Sequence, residues 1–361
     1  MEVAIVGLPG SGKTTVFTAL GGPPTPAGHA SGRASATVGV VKVPDERLDK
    51  LADHFHPKKT THADVTYLDV ALPPGATKAG TVDADLLGRL RNADAFLHVA
   101  RAFDNASGPA NPWAEVDELD LEFAVNDLDV VTRRLERLRT SGRHGSAAER
   151  DQNAREEVIL DRLEAHLSTG EPLRSYPLSA DEERLIRGFR FLSQKPRLVI
   201  LAIDEGRLPE APALETEARA AHGGPATEVA VLASRIEAEI AALSAEDARM
   251  FLDDLGIAEA SRGRVIGLTY ALLGLFSFFT AGEDECRAWT LGAGATALDA
   301  AGAIHSDLAR GFIRAEVIGW QDMLDCGSTA EARRRGLLRS EGKTYAVRDG
   351  DVIEVLFNVS R

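Results

Sequence analysis

The 361-residue sequence is poor in cysteine, with Cys286 and Cys326 alone. Two thiols can form at most one bridge, which excludes a disulfide framework and a cysteine-based metal cluster. They read as reduced thiols in a reducing compartment. Long apolar runs are also missing. The most apolar stretch, Val265 to Phe279, is broken by Gly267, Thr269, Gly274 and Ser277, and it falls short of the roughly 20 residues that cross a bilayer. No membrane association is expected. Residues Met1 to Gly10 have no basic region ahead of their apolar run, unlike a secretory signal, so a cytoplasmic location is expected. Positive charge is in deficit, with 41 Lys and Arg against 55 Asp and Glu and a net charge of −14. That argues against a protein that coats naked nucleic acid or reads a DNA sequence. Local contact with a ribosome or ribosomal RNA stays compatible with it.

What is present is a series of short, almost continuously apolar runs: Val3–Val6, Val65–Asp69, Ala95–Val99, Leu198–Ile203 and Val229–Leu232. Strands of a parallel sheet covered on both faces look like this. Their alternation with helical stretches predicts an α/β, doubly wound domain over residues 1–125 and 192–278. Between Val99 and Leu198 the chain is charged and helical. Leu128, Val131, Leu135 and Leu138 make one narrow stripe, Ile159, Leu163 and Leu167 a second, with Gly142 and Gly145 between them. Two antiparallel helices zipped along one seam, over residues 126–191, fit this pattern. The flanking Arg133, Arg134, Arg137, Arg139 and Arg143 make an outer face suited to phosphate-bearing surfaces or simply to solvent. From residue 279 to 361, strand-like runs (Cys286–Thr290, Phe312–Val317, Lys343–Val347, Val352–Asn358) surround a helical segment, Ala297–Leu308, and predict an α+β module. Gly21–Gly32, with Pro23, Pro24 and Pro26, reads as a loop.

The densest signal is Gly7-Leu8-Pro9-Gly10-Ser11-Gly12-Lys13-Thr14, a complete G-x-x-x-x-G-K-[ST] between a strand and a helix-like run opening at Thr15. Glycines let successive N–H groups turn inward around a phosphate, and the helix amino terminus adds positive potential. In this pattern Lys13 meets the β- and γ-phosphates and the Thr14 hydroxyl ligates Mg²⁺. Asp69, ending the strand Val65–Leu68, is a candidate to hold the same ion through water. The alternative for Asp69 is an ordinary turn residue. Nucleotide contacts are therefore expected at Gly7, Pro9, Gly10, Ser11, Gly12, Lys13, Thr14 and Thr15.

Further motifs narrow the class. Val38 through Asp49 reads Val-Gly-Val-Val-Lys-Val-Pro-Asp-Glu-Arg-Leu-Asp, Lys195-Pro196 precedes the strand ending in Ile203-Asp204-Glu205, and Ala281-Gly282-Glu283 leads to Arg287-Ala288-Trp289-Thr290. Ile304-His305, Gly311-Phe312-Ile313-Arg314-Ala315-Glu316-Val317 and Gly350-Asp351-Val352-Ile353 follow. Over nearly its full length the chain resembles the YchF/Obg-like ATPase family, translation-factor-related P-loop proteins with an antiparallel coiled-coil insertion and a closing β-grasp domain of TGS type. The resemblance implies a nucleoside triphosphatase that prefers ATP to GTP, uses Mg²⁺ and associates with ribosomes in translation or stress control.

Several positions depart from that family. Gly10 stands where its P-loop has Asn. Its first-switch Thr, which reaches Mg²⁺, corresponds to Arg33, with Thr37 the nearest substitute. After Asp69, Val70-Ala71-Leu72-Pro73-Pro74-Gly75 is a residue short and lacks the glycine that senses the γ-phosphate. Leu72 stands near the place of a water-positioning glutamine, a hydrophobic substitution that implies slow turnover. The base-reading Asn-x-x-Glu is here Ala202-Ile203-Asp204-Glu205, with Asp204 an alternative reader in another frame. Ser234, in Ala233-Ser234-Arg235, takes the base-flanking place. Weak discrimination between ATP and GTP is expected. A scaffold that binds nucleotide without hydrolysing it is the alternative, and a small-molecule kinase a third reading, set back by the absence of an arginine-rich lid.

Overall fold

In β1 (Glu2–Val6), Val3, Ala4, Ile5 and Val6 are all buried. A strand apolar on both faces must sit inside a sheet that has helices above and below it. The computed structural model describes residues 1–23, 36–70, 84–105, 108–141, 146–224, 226–255 and 260–358. Two units emerge, Met1–Val40 with Thr66–Arg262 and Val41–Val65 with Gly263–Arg361.

The first unit is built on a six-stranded sheet in the order β2-β4-β1-β5-β6-β7, from Ala36–Lys42 (β2), Asp64–Val70 (β4), Ala95–Arg101 (β5), Arg197–Ala202 (β6) and Thr227–Leu232 (β7) beside β1. The β4, β1, β5, β6 and β7 pairings are all parallel. Helices α1 (Lys13–Ala19), α3 (Ala84–Asn92), α4 (Pro112–Ser141) and α7 (Ala211–His222) lie between its strands in the chain, α8 (Ser234–Ala241) follows β7, and α2 (Glu46–Phe55) belongs to the segment 41–65. One apolar layer joins Ala4, Leu68, Phe96, Leu86, Leu119 and Phe123. The other joins Val199, Leu201, Val229, Val231 and Ile236. The doubly wound fold expected from the sequence is the one found.

The helix α4 runs 30 residues, about 45 Å at 1.5 Å per residue. Its first half packs Leu119 and Phe123 on the sheet. Its second half packs Val131, Leu135 and Leu138 against Ile159, Leu160, Leu163 and Leu167 of α5 (Ala147–Leu167). The expected seam is there, but no boundary falls near residue 125, because one continuous helix serves both layers. Two buried aspartates fasten the base of the pair. Asp120 accepts from Arg174 and Arg197, both at 2.7 Å. Asp127 accepts from the Leu192 and Ser193 amides at 3.0 and 2.7 Å and from Ser193 Oγ at 2.7 Å. The arginine face is largely neutralised from within. Arg134 pairs with Glu156 at 2.7 Å, Arg139 with Asp161 at 2.6 Å and Arg133 with Asp129 at 2.9 Å. Arg143, Gly142 and Gly145 lie outside the described residues. Downstream, α6 (Ala180–Ile186) buries Ile186 in the same cluster.

In the second unit the order is β11-β10-β12-β8-β9-β3, from Lys59–Thr61 (β3), Leu275–Thr280 (β8), Glu285–Gly292 (β9), Phe312–Gly319 (β10), Arg339–Glu341 (β11) and Asp351–Phe357 (β12). Ala297, Ala300 and Ala301, on the helix Ala297–Ile304, pack on Phe278, Ala315, Val317 and Ile353 of the sheet, the β-grasp arrangement expected. One apolar segment resolves into two elements, and three local expectations need correction. The apolar stretch Val265–Phe279 divides into a helix, Ser261–Leu272, and β8, with the turn at Gly274 (φ 63°). Lys343–Val347 is a turn in which Ala346 alone bridges Thr296. The segment Ala297–Leu308 breaks at His305, whose extended backbone (φ −165°) ends one helix and caps the next through Nδ1. Residues 41–65 join this unit rather than the first, because β3 pairs in parallel with β9 and Arg47 bonds Asp349 at 2.8 Å.

Candidate nucleotide-binding site

Where β1 ends, the chain turns back over its own sheet. Gly7 has φ 150°, and a Cβ there would lie 2.4 Å from the Val99 carbonyl oxygen. Only glycine permits so close an approach to β5. Gly12, at φ 96°, is the left-handed residue from which α1 departs. Lys13 follows at once, and its Nζ donates to the carbonyls of Gly7 and Leu8, each at 2.9 Å. Burial pushes its pKa down to about 8, against the pull of Asp69 and Glu115. An ammonium so short of counter-charge favours an anion.

The register Ile5↔Asp69 brings the end of β4 beside the loop. Thr14 Oγ1 donates to Asp69 Oδ2 at 2.9 Å. Burial raises the Asp69 pKa, while the Thr14 hydrogen bond and the Lys13 charge oppose the rise. Among the described residues no group of three His, Cys, Asp or Glu side chains could hold a metal. The Thr14–Asp69 pair nevertheless fits Mg²⁺, which takes one or two protein oxygens and completes its shell with water and phosphate. Ser11 Oγ is buried without a hydrogen-bond partner, a donor aimed at nothing the protein supplies. Pro9 and Gly10 are exposed, and Thr15 is half-buried in α1.

The remaining candidates distribute unevenly. Register Ala202↔Leu232 and the bond from Ile203 N to Leu232 O at 3.0 Å set the carboxyl ends of β6 and β7 side by side. Asp204 and Glu205 are exposed beyond β6, Ala202 is buried, and Ser234 is buried as the first residue of α8, which packs on α1. Thr37 is half-buried on β2, the neighbour of β4, and bonds neither Thr14 nor Asp69. Leu72 and Arg33 lie outside the described residues.

Sequence reasoning missed a group on β5 and its following loop. Arg101 is paired with Glu115 of α4 at 3.0 Å. Its Nη1 donates to Asn105 Oδ1 at 3.0 Å and to the Gly108 carbonyl at 2.7 Å. Asn105 Nδ2 in turn reaches the Gly10 carbonyl at 3.5 Å. The loop after β5 is thus fastened across the P-loop. The one signal available was an arginine closing a strand that is apolar but for His98.

A family model named YchF-GTPase_C, described as "Protein of unknown function (DUF933)", matches residues 275–358. A Bacillus subtilis protein named "Ribosome-binding ATPase YchF" is 38% identical over 99% of this chain and 100% of its own length. Proteins of that name from Haemophilus ducreyi and Escherichia coli O157:H7 are 39% and 37% identical, each over 99% of both chains. The solved Schizosaccharomyces pombe YchF GTPase superposes with a TM-score of 0.84 at 27% identity, covering 99% of this chain and 97% of that one. Identity at that level, sustained from end to end, shows that the chain belongs to the YchF family.

Proposed function

We propose that this chain is a cytoplasmic nucleoside triphosphatase of low turnover, weakly selective between ATP and GTP, that works on the ribosome. The observation that carries the reading is the P-loop itself: Lys13 is buried and short of negative charge, and Thr14 is paired to Asp69 at 2.9 Å. Relatives named as ribosome-binding ATPases support the partner. One relative of known structure is named a GTPase instead, which suits a base site where Ala202 offers no side-chain hydrogen bond and Glu205 is exposed.

In this reading the Gly7–Gly12 amides and Ser11 Oγ take the β-phosphate, and Lys13 exchanges its two carbonyl partners for β- and γ-phosphate oxygens. Thr14 and Asp69 would hold Mg²⁺, which supplies charge neutralisation on the phosphates. Arg101 orients Asn105 above the loop. Attack by water has no glutamine to align it, hence the slow turnover. Lys13→Ala should abolish triphosphate binding with the fold retained, and equal ATP affinity in variant and parent by calorimetry would remove the central claim. Multiple-turnover phosphate release with each nucleotide, with and without ribosomes, separates this reading from a scaffold that binds but does not hydrolyse. A hundredfold preference for GTP in competition would refute weak selectivity, since one good bidentate base contact is worth about 1–3 kcal/mol.

A further inference from the structure

The first unit holds a second polar cavity, of about 680 Å³. Its walls come from three separate segments. The end of α3 and its turn bring Arg91 and Asp94, α6 and the turn after it bring Glu183, Arg184, Arg187 and Arg190, and the entry to β6 brings Lys195. Asp94 immediately precedes β5 and Lys195 stands two residues ahead of β6, whereas the P-loop follows the carboxyl end of β1. Because these strands are parallel, the cavity lies at their amino ends, opposite the carboxyl ends that carry the nucleotide site.

Charge in this cavity runs against the protein as a whole, which carries −14. The cations outnumber the two lining carboxylates, and one of those, Asp94, already accepts from the Glu2 amide at 2.9 Å. Arg184 is paired with Asp181 at 3.0 Å, and Arg190 is hydrogen-bonded to Asn92. Arg187 has no ion-pair partner among the described residues. Arg91 carries a buried Nε that donates to nothing. Lys195 Nζ reaches the Arg91 carbonyl at 2.9 Å and the Ala93 carbonyl, so it closes the carboxyl end of α3. Its pKa is lowered to about 8, chiefly by burial, with Arg190 and Arg91 acting in the same sense and Asp94 and Asp127 opposing. Helix capping accounts for Lys195. Capping also accounts for the left-handed backbone of Arg190 (φ 51°), which closes the turn Arg187–Phe189; it does not account for the orphaned donor of Arg91.

We propose that this cavity is an anion site for a small, multiply phosphorylated ligand of the polyphosphate or nucleoside polyphosphate class, with Arg187 and Arg190 as its principal contacts. Guanidinium forks match phosphate oxygens in pairs. Several of them converging on one concavity suit a compact polyanion, whereas a nucleic-acid strand needs cations spread along a track.

The test is calorimetric titration of the full chain with inorganic tripolyphosphate, in the Lys13→Ala variant so that the P-loop does not contribute. One remaining site is expected. Adding Arg187→Ala and Arg190→Gly should weaken it by at least about tenfold, the loss expected for removed charged hydrogen bonds. Glycine suits the left-handed backbone, so Arg190→Gly alone should leave thermal stability equal or higher while affinity falls. Parallel falls in both would mark a structural residue and overturn the assignment. So would the absence of a site in Lys13→Ala, or a site indifferent to the arginine changes. A single-stranded oligoribonucleotide of matched phosphate number should compete no better than tripolyphosphate. Tighter binding of the oligonucleotide would reassign the cavity to nucleic acid and refute the small-ligand reading.

Discussion

Replacing Gly7 with alanine asks how tightly the sheet confines the phosphate loop. The new methyl would lie 2.4 Å from the Val99 carbonyl oxygen and 2.8 Å from Ser11 Oγ, well inside the roughly 3.5 Å of ordinary contact. Val99 is in ladder with Ile200 of β6, so its carbonyl cannot retreat without breaking the sheet. Two costs follow: strain at φ 150°, about 1–3 kcal/mol, and overpacking, again about 1–3 kcal/mol. Gly12 provides the internal control. It has φ 96° and nothing within 4 Å of the added Cβ, so Gly12→Ala should bear the strain alone. Gly7→Ala should therefore be the less stable by about 1–3 kcal/mol, a large fraction of the about 5–15 kcal/mol that holds a domain folded. Urea unfolding followed by circular dichroism reads the difference as a shift in midpoint at constant slope. Both variants should lose ATP affinity. Midpoints that coincide would show that the β5 carbonyl does not shape the loop.

The lowered pKa of Lys13, about 8, lies below the roughly 10.4 of the unfolded chain. Between these values the unfolded state carries the extra proton, so stability without nucleotide should rise with pH across that window, with Lys195 adding in the same sense. A bound triphosphate should restore the Lys13 charge, so ATP binding should take up protons above about pH 8 and almost none at neutral pH. Calorimetry in buffers of different ionisation heat checks this, and an uptake that persists in Lys13→Met would assign it elsewhere. Asp127→Ala strands three buried donors and should cost about 2–5 kcal/mol in denaturant unfolding; a loss below 1 kcal/mol would mean that water replaces the carboxylate. Replacing residues 130–170 by a short linker keeps Asp127 and Arg174, which the wider 126–191 excision would remove. That variant should spare ATP affinity and reduce ribosome co-sedimentation. Unchanged co-sedimentation would move docking to the carboxyl-terminal unit.

The phosphate loop was legible because its geometry is written in consecutive residues: glycines where φ is positive, then the lysine and threonine that open α1. The strands β1, β4, β5, β6 and β7 were legible because a run buried on both faces needs no partner information to be recognised. The seam of Leu128, Val131, Leu135 and Leu138 was legible through its period. Other features depend on which strands become neighbours. Asp69 meets Thr14 only because β4 pairs with β1, and Asn105 reaches Gly10 only because β5 lies beside β1. The arginine face of α4 looked free because the carboxylates that neutralise it, Glu156 and Asp161, come from α5, over twenty residues away. Val265–Phe279 could not be divided by hydropathy, since a helix and a strand that are both buried look alike until Gly274 turns the chain. Local backbone demands and burial periodicity were fixed along the chain itself; the pairing of charges, and the cavity gathered by α3, α6 and the entry to β6, exist only once the sheet has brought distant segments together.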